Sequence, residues 1–545
     1  MAASSARRRR PLTALVLIVG LVGPFMAGPH GVGGVHAATG HASDGILRMS
    51  DEGENDLPSI DPPSPNAGDA QSNLVEGLIF GGLVRIDDKL HIQPNAASSW
   101  QISNGGKTYT FTLRKGLKFG DGTPISADDV VWSFNRAFSP DFASGAADYY
   151  LGHIVGGSDV TNKKAKTVKG IKAIGSDKVQ ITLDQPEAVI LYQLAYSVAD
   201  IVPRHLIEKY GKTWTEHAVG IGPFTVKQWK HGQEIDLAPN PYYWRGQPKL
   251  KGVIVEFVQS ADTAYNLYRT KAVDVMGAIH FPNNRLGEVK STPDFHEVAQ
   301  LFTEYLTPNE HKAPFNNVLV RRAFSYAFDR AALARVLNNR VLPASGILPP
   351  GMPGFNPQLK GQVFNPTLAK QLLAQAGYPG GKGLPKITLS VDGGDSDGPT
   401  KANLLREYWK QVLGVDVSTP TIEHGAYNDA LTARNYQIAF IAWGADYPDP
   451  QNFLSLQLQS GTGNNNGDYR NPTFDRLTMQ ADIMPVNSRE RYELYRKAEQ
   501  IAVNDAAWIV LDWAKADVLI RPSVHGLIVN ALGLTAPNWA TVTVG

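Results

Sequence analysis

The sequence predicts an α/β fold of more than one domain, and three observations lead there. Short apolar runs with strand character alternate with segments whose apolar residues recur at helical spacing. Residues 250–276 hold one complete unit, with a strand over 250–257, a helix over 260–271 and a return strand in VDVM. The chain has 545 residues, 43% of them hydrophobic, which is length for about two to four domains with ample cores.

Taken in order, the chain opens with four arginines at 7–10, an apolar run over 12–27, and small residues at Val35 and Ala37 before a cleavage point. That is the layout of a signal peptide over 1–37. An uncleaved membrane anchor is the alternative, but the run falls short of the ~20 residues of a spanning helix and is interrupted by Gly20, Gly23 and Pro24. Residues 38–44 read as a disordered linker. A strand follows in ILRMS (46–50), then a Pro-rich connection and a helix over 69–80 ended by Gly81 and Gly82. Runs at 100–103, 108–113 and 117–119 read as a β-meander with a tight turn at Gly120, Asp121 and Gly122, followed by a helix from Ser126 or Ala127. A hairpin is expected around His231 and Gly232. Residues 314–337 carry apolar positions at helical spacing, and 343–357 form a Pro/Gly loop. Helices are expected over 368–376 and 401–413, and a strand over 387–391. Asn487 caps a last long helix with Glu490 at capping-box spacing. Strands in WIVLDW and ADVLI close the fold, and no internal repeat is visible.

Composition removes several function classes. The formal net charge is +1, from 52 basic and 51 acidic residues, with no segregation beyond the extreme N-terminus, so no nucleic acid or anionic membrane is expected as a partner. Cysteine is absent, which excludes disulfides, Cys-ligated metals, thiol catalysis and a lipid anchor on an N-terminal Cys. There is no H-E-x-x-H zinc motif and no P-loop, and neither a cofactor nor a metal is expected. The one nucleophile signature is Gly394-Asp395-Ser396-Asp397-Gly398, a G-x-S-x-G between a strand and a helix. Pro399 follows directly and two Asp flank the Ser, as in an ordinary polar loop. His424 lies downstream with nothing to mark it as a base. Asp392, Asp395 and Asp397 miss the EF-hand order because Gly393 fills the first ligand place.

The candidate site is the stretch 436–453. YQIAFIA reads as a buried strand bounded by Gly444. Asp449 and Pro450 start a helix, the Asp as N-cap and the Pro at a position that needs no N–H. Asp446 lies too early to be that cap and sits between the rings of Trp443 and Tyr447. A carboxylate beside aromatic faces suits a cationic group such as a free amine; the alternative is that Asp446 only shapes a turn with Pro448. Tyr149 and Tyr150 form an aromatic pair that either lines a cleft or packs on the surface.

Several strings resemble one family, in its order along nearly the whole chain after 44. They are SNLVEGLIFGGLVRID, NGGKTYTFTLRKGLKFGDGTPISADDVVWSF, VGIGPF, NPYYWRG and WGADYPDPQNF, the last similar to W-x-x-D-x-x-x-P-x-x-F. The family is that of the family 5 extracellular solute-binding proteins, the oligopeptide, dipeptide and nickel binders of bacterial ABC importers. The resemblance implies a two-lobed periplasmic-binding-protein-like fold with an extra inserted domain, of the class II peptide-binder type. It puts lobe I at 45–80, 202–302 and 515–545, the inserted domain at 81–201, and lobe II at 303–514. It implies that Asp446 pairs with a peptide's amino terminus and that main-chain groups of Ala442 and Gly444 bond to the peptide backbone as an added strand would; beside these, the residues themselves suggest that Trp443 and Tyr447 wall the pocket, with Tyr150 as a further contact. The place of an Arg that holds a ligand carboxylate in some oligopeptide binders is Phe440 here. The implied role is an exported, periplasmic or cell-surface, monomeric binder without enzyme activity, serving a membrane permease and an ATPase on other polypeptides. Alternatives are a non-peptide solute, such as a nickel chelate, an oligosaccharide or an opine, and a secreted serine hydrolase using Ser396.

Overall fold

Two long strands, Phe295–Pro308 and Ile509–Ile520, run antiparallel and carry the rest of the architecture on their two ends. The computed structural model describes residues 44–52, 56–64, 70–142, 146–277, 281–282, 285–394 and 397–545. The leader over 1–37, all but Asp44 of the linker, and Ser396 lie outside these. The long pair changes register after Ala299 and again after Glu304, so residues 295–299 face 519–515 while 303–306 face 513–509. WIVLDW and ADVLI, expected as two strands, are one strand that crosses this break, because Ala514 and Lys515 between them stay extended.

Each end of the pair collects its own half of a twelve-stranded sheet. Beyond Leu519 and Ile520 come Val275–Met276, Ile46–Glu52 and Gly252–Val258, followed by a hairpin of Glu234–Pro239 and Phe224–Lys230 that turns at Gly232 with φ +74°. Strand Gly252–Val258, helix Ala261–Thr270 and strand Val275–Met276 form the expected crossover unit, with the first strand of the chain inserted between its two strands. Ser260 caps the helix by accepting from the Thr263 amide at 3.2 Å. On the other end, Ile438–Gly444 pairs along residues 302–308, and Ile387–Asp392 adds in parallel at Ile438 and Ala439. The two halves therefore share only the long pair.

Apolar residues gather in separate cores. One, with Leu47, Val75, Phe224 and Val253, underlies the first half of the sheet. A second lies under a four-stranded antiparallel sheet of Ala97–Ser103, Thr108–Leu113, Lys178–Thr182 and Ile171–Ile174. Two more pack around the second half. The third run of the expected meander is not a strand. Residues 117–119 enter a tight turn closed by the Gly122 amide donating to the Phe119 carbonyl at 2.9 Å, and Lys178–Thr182 takes the place beside Thr108–Leu113. Gly122, at φ +90°, supplies the left-handed backbone of that turn.

Helix boundaries follow local caps. Ser126 starts Ala127–Ala137, its amide and hydroxyl donating to the Asp129 carboxylate at 2.8 and 2.7 Å. Residues 314–337 form two helices, Val318–Tyr326 and Arg330–Val336, because Asp329 accepts from the Ala331 amide and starts a second helix in mid-pattern. The last helix, Arg489–Asn504, is capped by Ser488, which accepts from the Arg491 amide at 3.2 Å; Asn487 sits outside it at φ +68°. The N-cap is thus one residue later than expected, and the expected capping box does not form, because Arg491 at the third helical position has no acceptor to offer the Ser488 amide.

That helix anchors the site loop. Arg491 is fully buried and forks onto both carboxylate oxygens of Asp449 at 2.7 Å each. Asp449 also accepts from the Gln451 amide at 2.9 Å, capping the short helix Pro450–Asn452 as its sequence predicts. Asp449→Ala strands a buried guanidinium, so urea unfolding should show a loss of about 3–5 kcal/mol, while Asp449→Leu with Arg491→Met should recover most of it.

Candidate functional site

The break in the long strand pair opens into a cavity of about 1980 Å³. Gln300, Phe302 and Lys515 line it at the break itself. One wall is the end of strand Ile438–Gly444 and the loop after it, presenting Ala442, Trp443, Gly444 and Asp446. Facing them come Tyr149 and Tyr150 from the helix Ala146–Leu151, and Tyr196.

Asp446 is held by neutral donors. Tyr150 Oη donates to its Oδ2 at 3.0 Å and Asn452 Nδ2 at 2.8 Å, and Tyr196 adds a further bond. No Lys, Arg or His pairs with it among the described residues. Burial pushes its carboxyl up to about 6, against the opposite pull of those donors. Asn452 is the organiser: its Oδ1 accepts from the Trp443 indole at 2.9 Å and from the Asp446 amide at 3.2 Å. The three tyrosines pack as a unit, Tyr149 edge-on to Tyr150 at 4.8 Å and Tyr150 against Tyr196 at 4.6 Å. Tyr149 Oη accepts from Asn464 at 2.7 Å and from Gln457 at 3.0 Å, joining residues some three hundred positions apart.

The strand beside Asp446 has a free edge. On one side residues 438–444 pair with 302–308; on the other, only Ile438 and Ala439 meet a strand. The Phe440 carbonyl points to that second side, where it accepts from the Tyr427 hydroxyl. Successive residues of a strand aim their main-chain groups to opposite edges, so Ala442 and Gly444 turn theirs to the same open edge as Phe440. Ala445 conforms, its amide donating back to Leu301 at 2.8 Å. Gly444 is required here, since a Cβ would lie 2.9 Å from the Phe302 ring.

A model of the bacterial extracellular solute-binding proteins, family 5, matches residues 91–465. The chain belongs to this family. The oligopeptide-binding protein OppA of Salmonella typhimurium is 33% identical over 87% of this chain and 88% of its own. A probable deoxycholate-binding periplasmic protein, YgiS of Escherichia coli, is 32% identical over 93% and 95%. The solved structure of the Escherichia coli murein tripeptide-binding protein MppA superposes with a TM-score of 0.80 at 28% identity, covering 92% of this chain and 98% of that one. Its unliganded open form gives 0.71, so the arrangement of the two halves here is nearer the former. The α/β architecture is the two-lobed fold of these binders.

Within this frame the structure brings together Ala442, Trp443, Gly444, Asp446 and Tyr150, and does not bring Tyr447 with them. Tyr447 is fully buried in the core of residues 83–201, stacked on Tyr192 at 6.1 Å, with its hydroxyl donating to Gln451 Oε1 at 2.6 Å. It pins the loop rather than walling the cavity, because the ring alternates away from Asp446. Phe440 is buried in a core of the second half of the sheet. Asn452 and Tyr196 escaped the sequence reading. Asn452 lies inside the motif string, one residue before its Phe, but an Asn in a loop carries no signal of its own; Tyr196 had none beyond being aromatic. In solution the Asp446 carboxyl should titrate near 6 by carbon-13 NMR, and Tyr150→Phe should move it further up by removing a donor to the charged form.

Proposed function

We propose that this chain is the exported substrate-binding protein of an ABC importer, which captures oligopeptides or dipeptides between two lobes and hands them to a membrane permease driven by a separate ATPase. The observation that carries the reading is a carboxylate without a cation partner, set in the cavity wall beside an open strand edge. An amine entering there meets Asp446, and the solute backbone meets Ala442 and Gly444 as an added strand. Trp443 and Tyr150 flank the amine.

The register break divides lobe I (45–80, 202–302 and 515–545, with 81–201 inserted) from lobe II (303–514), and we read it as the hinge. Closure follows from contacts made only when the lobes meet: Tyr150 with Asp446, Tyr149 with Asn464, and Tyr447 buried against Tyr192. A solute touching both walls shifts the open–closed equilibrium toward the form the permease reads. The role is binding rather than catalysis. Among the described residues no helix is long and apolar enough to cross a membrane, in keeping with a chain that works outside one.

A non-peptide solute is the second reading, favoured by the relative named for deoxycholate. That anion offers no amine to Asp446, which is why peptides are preferred. Mass spectrometry of the solute released from the purified protein decides between them, and a steroid or a sugar in place of peptides would overturn the first.

Asp446→Ala should weaken peptide binding by about 2–5 kcal/mol in titration calorimetry, the cost of leaving a buried ammonium unpaired. Because the carboxyl sits near 6, protonation below that pH removes the partner of the amine. Affinity should therefore fall on acidification from pH 7.5 to 5, by at most about tenfold per pH unit, and Asp446→Asn should flatten the profile.

A further inference from the structure

Two buried carboxylates come together where the proposed lobes join. Glu187 stands in the turn before the short helix Ile190–Gln193 of the inserted domain, and Asp482 ends helix Pro472–Asp482 of lobe II. Both residues border the cavity, yet they are nearly shut off from water, at 3% and 8% exposure. The main chains meet beside them, the Ala188 amide donating to the Asp482 carbonyl at 3.0 Å. That bond and this burial join 81–201 to 303–514, so on the two-lobe reading they form only when the lobes are together.

The two carboxyls are held differently. Asp482 accepts from Ser455 Oγ at 2.7 Å, from Gln459 Nε2 at 2.7 Å and from the Tyr495 hydroxyl, neutral donors that favour its ionised form. The Oε1 of Glu187 is buried with no hydrogen-bond partner among the described residues, and its Oε2 lies 3.6 Å from His153 Nε2. His153 belongs to the same inserted domain and is bonded to Asp184 at 3.1 Å, so its contact with Glu187 does not depend on closure. From lobe II, Glu187 meets the charges of Asp482, Arg491 and Asp449, and Tyr447 and Tyr109 lie within reach of its own. Asp482 in turn faces Arg491 and Tyr495. Arg491 does not neutralise the pair, because both of its terminal nitrogens are committed to Asp449 at 2.7 Å. Burial, and then the charge of Asp482, hold Glu187 well above the ordinary carboxylate range; burial raises Asp482 as well, against the pull of its donors.

We propose that closure of the lobes is coupled to a proton: Glu187 is ionised while the lobes are apart and takes up a proton as it meets Asp482, so that acid favours the closed form. The proposal rests on the two-lobe reading and adds a control to its hinge. With the lobes apart, both carboxyls face water and ionise in the ordinary range. Closing removes that water and sets like charges together, and a neutral Glu187 avoids both costs. By linkage, the closed form binds more protons than the open one. Its advantage is fully present below the ordinary carboxylate range and is lost as pH rises through the raised value of the closed form. One proton changes the closed-to-open ratio by at most about tenfold per pH unit. This opposes the loss of solute binding at Asp446 on acidification, and the slope that Asp446→Asn leaves behind has the opposite sign.

The chain has no cysteine, so Lys164→Cys and Lys370→Cys, at exposed positions of the two lobes, place a pair of dyes whose energy transfer reads closure of the full chain. Asp446→Asn is kept in every protein compared across pH, which removes the titration of that carboxyl. Without solute, the closed-to-open ratio should rise about tenfold or more from pH 8 to pH 5. Glu187→Gln, a neutral mimic of the protonated side chain, should hold the pH 5 ratio throughout; Asp482→Asn should flatten the rise as well, and His153→Gln should leave it in place. Thermal unfolding reports the folding of each variant. A ratio that does not change with pH, a rise that survives both amide variants, or one that disappears in His153→Gln overturns the proton coupling. The dyes are also read with Asp446 intact and a pool of random tripeptides added. Dyes that respond to peptides but not to pH overturn the carboxylate pair and leave the hinge standing; dyes that respond to neither overturn both.

Discussion

A carboxylate without a counter-charge in a cavity wall is the constraint around which the rest of the site is arranged. Burial penalises the ionised form of Asp446, and neutral donors from Tyr150, Tyr196 and Asn452 only partly offset that, leaving it with a carboxyl near 6. A guanidinium in the same place would have satisfied the charge permanently and filled the site. Tyrosine hydroxyls and an amide do the opposite: they orient the carboxylate without supplying a charge of opposite sign. The same logic runs in reverse at Asp449, three residues on. There the charge is closed off by Arg491, and the pair serves only to hold the loop.

The architecture suits the proposed movement of that wall. Each half of the sheet has its own cores, and the halves share two strands whose register is broken where the cavity lies. Irregular pairing at that point removes regular ladder bonds that would otherwise stiffen the link. Contacts that cross the cavity come from side-chain hydroxyls and amides, such as Tyr149 with Gln457 and Asn464. Such bonds exchange readily for bonds to water, so each adds only about 0.5–1.5 kcal/mol, enough to bias closure without locking it. The buried ring of Tyr447 supplies the apolar part of that contact.

Much of the fold was legible in the sequence because local rules decide it. Gly232 at the hairpin tip, Asp449 as a cap and the strand, helix and strand over 252–276 are set largely by neighbours along the chain. The errors fall where local signals compete or where tertiary pairing decides. Asn487 and Ser488 are both good caps, and the chain uses the second. Asp329 splits an apolar pattern that continues through it. Residues 117–119 have strand composition but lose their place to Lys178–Thr182, some sixty residues away. At the site, Asp446 stood out because no cap or turn claimed it. Tyr447 was misjudged because its neighbour in sequence faces the cavity while its own ring faces a core.

How many different solutes such a site accepts follows from what it grips. On the proposed reading Asp446 and the open edge of Ala442 and Gly444 would address an amine and a main chain, features common to every peptide, while no side-chain-shaped recess is needed for either. The cavity, at about 1980 Å³, exceeds the roughly 300–1,000 Å³ usual for small-molecule pockets. The volume beyond a bound backbone would then be left to the solute's side chains together with water. Water bridges nearly as well as a direct hydrogen bond and adapts its positions to the guest, so it evens out differences between one side chain and the next. On this reading the protein would select by the amine and the backbone of its cargo and would tolerate variety in the side chains.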